Sequence, residues 1–227
     1  MLYQFCITEL AQARHSAVVR GFIDALTRGG PGGLPKPIEL HSHDPVRYCS
    51  DMLAWLHQSV ASEKEQLLLL LAKSSTDAEI TGRPRISQLP EADREMLHTA
   101  LNKALEGACR PLQSRIEQVL MGQPKVVVCY QLANLLQFYG ATIQELVEFL
   151  PSLVAVLSEL HALALKMFFD RLNIHANQLL VDVEPPPDDL AAPAEVEKAL
   201  GKRPRVASST CKPCPRPEHV GVAPNLQ

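Results

Sequence analysis

His41, His43 and Asp44 put three metal-binding side chain types within four positions, in the stretch PIELHSHDP at 37–45. Imidazole nitrogen and carboxylate oxygen are donors that zinc accepts, so the cluster raises a metal-dependent enzyme as one reading. A zinc site needs a third or fourth ligand within reach and an outer set of hydrogen bonds that hold the ligands. His57 lies on the following helical stretch, roughly 20 Å from its start at 1.5 Å per residue, and cannot close the same site. A His-x-His pair also suits a strand, where alternate residues share a face, better than a loop. Asp44 followed by Pro45 has a simpler use. The carboxylate can accept backbone N–H groups of a first helical turn, and proline fits the first helical position because its missing N–H is not needed there. The segment is therefore read as a helix lead-in, with no catalytic, cofactor-binding or metal residue assigned.

Other chemistry-bearing residues are weaker signals. Cys211, Cys214 and His219 have the first three positions of a zinc knuckle, but Pro224 stands where the fourth ligand belongs. KRPR at 202–205 resembles a short nuclear-import sequence, and four-residue basic runs arise readily by chance. Glu145 and Glu148 can share a helix face, and solvation is the simpler account of both. No Gly-x-Ser-x-Gly, His-Glu-x-x-His or dinucleotide-binding glycine pattern is present. Trp55, the single tryptophan, lies beside an apolar stripe. It is read first as a filler between adjacent helices and second as a partner contact.

The elements that would carry these residues are helical. Apolar residues make up 46% of the 227 and aromatics only 5%, a balance dominated by Leu and Ala that favours helix packing over a β-sandwich. With 22 basic and 25 acidic residues, the net charge of −3 offers no basic surplus for a nucleic-acid partner. Cys6, Cys49, Cys109 and Cys129 sit at helix-like apolar positions without paired spacing, as expected of buried free thiols in a reducing compartment. No basic region precedes an apolar core at the N-terminus, so no signal peptide is expected. Residues 126–144 carry no formal charge, but Gln131, Asn134, Gln137, Thr142 and Gln144 interrupt them, which argues against a membrane span.

Periodicity predicts a helix over 2–27, with Val18, Phe22 and Leu26 inward, closed by Arg28 and Gly29-Gly30. The glycine-rich run GGPGGLPKP follows a helix instead of leading into one, so it reads as a connection, not a phosphate loop. A second helix runs from Pro45 to about Lys73 with Val46, Cys49, Met52, Leu53, Leu56 and Val60 inward. Its LLLLL end, 67–71, is expected to be enclosed on all faces. A third helix starts at Glu91, and Pro111 is expected to kink it or split it after Arg110. VVVCY at 126–130 opens a helix that Gly140 is expected to break. Thr142 and Glu145 then form a capping box for a short helix to about Leu150. Pro151 opens the last helix, to about Val183, with Leu153, Leu157, Leu160, Ala164 and Met167 on one side. The expected division is a helical rod segment over 1–183, with loops at about 29–44 and 74–90, and a proline-rich disordered tail over 184–227. That tail holds nine of the eighteen prolines.

Two long blocks then carry a resemblance. RGFIDALTRGGPGG at 20–33, followed by PIELHSHDPVRYCSDMLAWLHQSVASEKE at 37–65, closely resembles the family of subunit 6 of the conserved oligomeric Golgi complex. CRPLQSRIEQVL at 109–120, NLLQFY at 134–139, the Phe pair 168–169 and the proline run within 183–190 extend the likeness over about 2–190. The resemblance implies an all-α fold of antiparallel helices stacked as part of a rod, in a non-enzymatic subunit of a vesicle tether. It also implies peripheral residence on the cytosolic face of the Golgi membrane, retrieving vesicles that carry glycosylation enzymes. The implied partners are the other subunits of that complex, SNAREs, Rab GTPases and coiled-coil tethers. Family members are longer and begin with a heptad-rich part, so a fragment, a splice form or an imperfect gene prediction is expected. A cytosolic helical adaptor unrelated to the Golgi is the third reading.

Overall fold

The computed structural model describes residues 2–74, 86, 89–147 and 150–181, and residues 1–181 form one compact unit. Its architecture is all-α: helices α1 (Leu2–Thr27), α2 (Pro45–Ser74), α3 (Glu91–Met121), α4 (Val126–Leu146) and α5 (Pro151–Val181), with no strand among the described residues. Two short 3-10 turns, Pro31–Gly33 and Ile38–His41, connect α1 to α2. The tail over 184–227, most of the 74–90 loop, Glu148 and the Cys211, Cys214 and His219 set lie outside the described residues, as does KRPR.

Local chemistry sets the helix ends. The N–H groups of Arg28 and Gly29 both bond to the Asp24 carbonyl at 2.8 Å, and Gly29 then turns to φ 78. A side chain there would meet the Pro35 carbonyl at 2.4 Å, so glycine is required both for the turn and for the close return of the loop. Asp44 caps α2: its Oδ1 accepts the Arg47 N–H at 3.2 Å, and its carbonyl accepts the Tyr48 N–H at 2.9 Å. Pro45 and Pro151 open α2 and α5 as expected.

Side-chain pairs give the helix directions. Phe22 stacks on Trp55 at 5.2 Å and Arg14 bonds Glu63, so α1 and α2 are antiparallel. His15 bonds the Lys103 carbonyl while Val19 abuts Gly107, which sets α1 parallel to α3. His57 meets Tyr139 edge-on at 6.3 Å, and Lys64 donates to the Leu146 carbonyl at 2.6 Å, so α2 and α4 run the same way. Tyr130 packs on Phe168 at 5.6 Å across the antiparallel α4–α5 hairpin. The third helix sits centrally, touching α1, α2 and α5, and α4 closes the ring between α2 and α5. Leu97, Leu101, Ala104, Ala108, Leu112 and Ile116 are fully buried or nearly so along its stripe.

Two sequence expectations are corrected, and of the two offered for Pro111 the split is excluded. Pro111 does not split α3, which is continuous from Glu91 to Met121. Ala108, Cys109 and Leu112 are buried around it, and that packing holds the helix through the missing hydrogen bond. Gly140 does not break α4. Thr142 donates to the Phe138 carbonyl at 2.8 Å as a helix-interior hydroxyl does, and Ile143 and Val147 are buried, so packing overrides the capping box. The LLLLL run is enclosed on one side only. Leu67, Leu68 and Leu71 are buried, while Leu69 and Leu70 are about half exposed.

Candidate interaction surface

The three residues that raised metal chemistry do not converge. His41 ends the second 3-10 turn, its Nδ1 3.8 Å from an Asp51 oxygen. His43 is exposed and sets its Nδ1 3.1 Å from the Leu40 carbonyl, while Asp44 is engaged in capping. His57 packs against Tyr139 on the α4 side of α2. Among the described residues no group of three His, Cys, Asp or Glu side chains is placed to hold a metal ion. The lead-in is instead tied to the bundle by Glu39, whose carboxylate pairs with Arg115 of α3 at 2.7 Å. Arg115 also lies beside Tyr48, whose phenol is held above its ordinary pKa chiefly by burial, with Arg115 opposing that shift.

Trp55 fills the groove between α1 and α2, as its first reading expected. It packs on Phe22, and a side-chain carbon added at Gly21 would lie 3.4 Å from its ring, in ordinary contact. Its remaining edge lines an open pocket of about 1180 Å³ with Asp24, Leu34, His41, Arg47 and Asp51. The lining mixes both charge signs: Asp24 pairs with Arg28, and Asp51 with Arg47.

The thiols divide by burial. Burial pushes Cys49 up from 9.0 to about 12 and Cys109 to about 11, so both are poor nucleophiles. Cys6 departs from the expectation of burial: it is exposed on the first turns of α1. Ile7 and Ala11 carry that end's contact with the bundle, and Cys6 points away from it.

The prominent exposed features are apolar. At one end of the bundle, Leu2 and Phe5 on α1 stand 79% and 62% exposed, and Leu69 and Leu70 towards the end of α2 are about half exposed. At the other end, α5 outruns its neighbours. Asn102 bonds Ser152 at 3.1 Å, which sets the start of α5 beside the middle of α3. Tyr130 on Phe168 sets the start of α4 beside the middle of α5. Both neighbours therefore stop near residue 171, and about three turns of α5 run past them. Burial agrees: α5 buries Leu153, Leu157, Leu160 and Ala164, and none of residues 172–181. Leu172 is 41% exposed, and exposure rises to 84% at Val181. By length and composition α4 and α5 each suffice to cross a membrane, while in this fold α4 packs on α2 and α5. Sequence reasoning followed the α5 stripe to Met167 but missed where its cover ends. The signal available was the apolar content continuing on several faces from Phe168 to Val181.

Comparison with known proteins specifies the family. The family model of the conserved oligomeric Golgi complex subunit 6, C-terminal, matches residues 1–211. The chain belongs to this family. It is 45% identical over 201 residues to conserved oligomeric Golgi complex subunit 6 of Rattus norvegicus, covering 88% of this chain and 28% of that protein. The same protein from Homo sapiens matches at 45% with the same coverage, and that from Arabidopsis thaliana at 40% over 195 residues, 82% of this chain and 29% of the relative. The chain thus spans under a third of the length of the curated relatives it matches. No solved structure matches it.

Proposed function

We propose that the chain serves as a non-catalytic part of a vesicle-tethering complex, acting in intra-Golgi retrograde transport and in Golgi organisation. The observation that carries this is the 45% identity, over 88% of the chain, to relatives named as subunit 6 of the conserved oligomeric Golgi complex. The geometry is compatible. Long helices packed side by side hold exposed faces at fixed separations, which suits assembly. The other subunits of that complex are the proposed partners, with SNAREs and Rab GTPases as further ones. The proposed location is the cytosolic face of the Golgi membrane, held peripherally. Asp44 is engaged as a helix cap, and the relatives' name gives the metal-enzyme reading no support.

The test is affinity capture with the full chain from cytosol and Golgi membrane of a cell of its own kind. Other subunits of the complex should co-purify in stable proportion. Capture of helical proteins without any of those subunits would favour the unrelated adaptor. One stoichiometric zinc in the purified chain would bring the enzyme back.

A further inference from the structure

The outward face of α4 is built unlike that of α3. The third helix turns Glu91, Glu95, Lys103, Glu106 and Arg110 to solvent, as an ordinary wet helix face does. On α4 the exposed positions include Val127, Tyr130, Asn134, Gln137, Ala141 and Gln144, at spacings of three, four, three, four and three, which is the seam of a helix that pairs with another helix. Residues 126–144 hold no charged side chain, so this face runs uncharged for nearly 30 Å at 1.5 Å per residue. Charge depletion with exposed aromatics marks the core of a protein interface, and here Tyr130 is 52% exposed and Phe138, beside the seam, 62%. The Tyr130 ring is already held by Phe168 of α5, so it has little freedom left to lose on binding. Charges return only at the two ends. Lys125 precedes the helix and Glu145 lies in its last turn, both exposed, and neither has an ion-pair partner among the described residues.

We propose that this face is a self-association surface on which two copies of the chain pair through antiparallel contact of their α4 helices. A two-fold centred between Leu135 and Leu136 sets Val127 over Gln144 of the other copy, Tyr130 over Ala141 and Asn134 over Gln137, each pair twice. The charges at the ends select this direction. The same register brings Glu145 beside Lys125 of the other copy, forming two ion pairs, whereas a parallel pair would set like charges together. The tyrosine ring meets a small residue. Gly140 beside that alanine has nothing within 4 Å of the place a side-chain carbon would take, so the ring has room. The carboxamides of Asn134 and Gln137 can each donate and accept, which fixes the register as a polar seam residue does in a coiled coil. A lipid surface fits less well, because Gln131, Asn134, Gln137 and Gln144 on this face would lose water with no partner in hydrocarbon. One pair of helices this long covers no more than the roughly 1,200 Å² of the smallest stable interfaces, so a reversible dimer is expected.

Sedimentation equilibrium of the full chain, from submicromolar to high-micromolar concentration, reads the proposal directly. A monomer–dimer equilibrium is expected. Ala141→Arg, which fills the space opposite Tyr130, should weaken it at least about tenfold, with helical circular dichroism unchanged because the position faces solvent. Lys125→Glu or Glu145→Lys alone should weaken it about three- to tenfold by setting like charges together. Those two variants, mixed in equal amounts, should pair with each other, and the double variant Lys125→Glu/Glu145→Lys should recover the parent constant. A merely structural role of either residue predicts neither result. Thr99→Arg, on the exposed face of α3, should leave the equilibrium alone. A chain that stays monomeric overturns the proposal, and co-sedimentation with vesicles or with another complex subunit would then name the occupant. A dimer that Ala141→Arg leaves intact, or single charge variants that do not prefer each other, overturns it too.

Discussion

Arg14 of α1 clasps Glu63 of α2 with two parallel hydrogen bonds, Nε to Oε2 at 2.8 Å and the terminal guanidinium nitrogen to Oε1. The carboxylate is only 3% exposed, the single buried charged residue among those described, while the guanidinium keeps one side in water. The hydrogen bond that Arg14 donates to Glu63 raises the guanidinium pKa further above its already high ordinary value, with burial opposing, so it stays charged throughout the accessible range. The pair fixes the register of α1 against the bundle, since the two residues are far apart in sequence.

Removing one partner leaves the other desolvated. Arg14→Met should destabilise the chain by about 2 kcal/mol, below the 3–5 kcal/mol of a fully buried pair because Arg14 is partly solvated. The double variant Arg14→Met/Glu63→Leu should recover most of that loss. Urea unfolding followed by circular dichroism checks it, and simple additivity of the two single variants would show that the pair is not coupled.

Two glycines should answer alanine with opposite signs. At Gly107 a new methyl would meet Val19 at 2.4 Å and the His15 ring at 2.6 Å, so α1 must lift from α3. Overpacking of about 1–3 kcal/mol outweighs a helix-propensity gain of up to about 1 kcal/mol. At Gly140, inside α4, nothing lies within 4 Å of the added carbon. Gly140→Ala should therefore stabilise by roughly 0.5–1 kcal/mol. Melting temperatures of the two variants should move in opposite directions.

The lead-in to α2 should behave as a cap. Asp44→Ala should cost about 1 kcal/mol by leaving the Arg47 N–H without its acceptor. His41→Ala/His43→Ala should leave activity in a Golgi trafficking assay nearly intact. Complete loss of activity in the double histidine variant, with an unchanged unfolding curve, would contradict a purely structural role.

Thiol chemistry should follow burial. In the native chain near pH 8, an alkylating reagent should label Cys6 rapidly and leave Cys49 and Cys109 unmodified until denaturant is added. The sign of the pH effect follows from the raised thiols. The unfolded chain ionises them near 9.0, the folded chain only near 12 for Cys49 and 11 for Cys109. Their contribution to stability is therefore complete below pH 9 and is lost between about pH 9 and 12. Unfolding curves that stay flat across that window would show that the thiols are not desolvated as the fold implies.

Much of this protein is written in short-range chemistry. The start of α2 at Asp44-Pro45, the end of α1 at Arg28-Gly29, the opening of α5 at Pro151 and the inward stripes of α1 and α3 all follow from residues within a few positions of each other. Capping, the fixed φ of proline and a 3.6-residue period need no distant partner to act. The long blocks at 20–33 and 37–65 likewise pointed to the family without any structure.

What tertiary structure alone decided is which faces have cover. Gly140 and Thr142 carry a break-and-cap pattern, yet α4 runs through them because Ile143 and Val147 find a core. Leu69 and Leu70 are as apolar as Leu67 and Leu68, and only neighbour placement separates them. Arg14 and Glu63 look like two ordinary surface charges until α1 and α2 come together. The end of α5 stands open because α3 and α4 stop short of it, a fact about the lengths and offsets of other helices. Burial belongs to pairs of elements, so one element's periodicity can say which side is apolar but not whether anything lies against it.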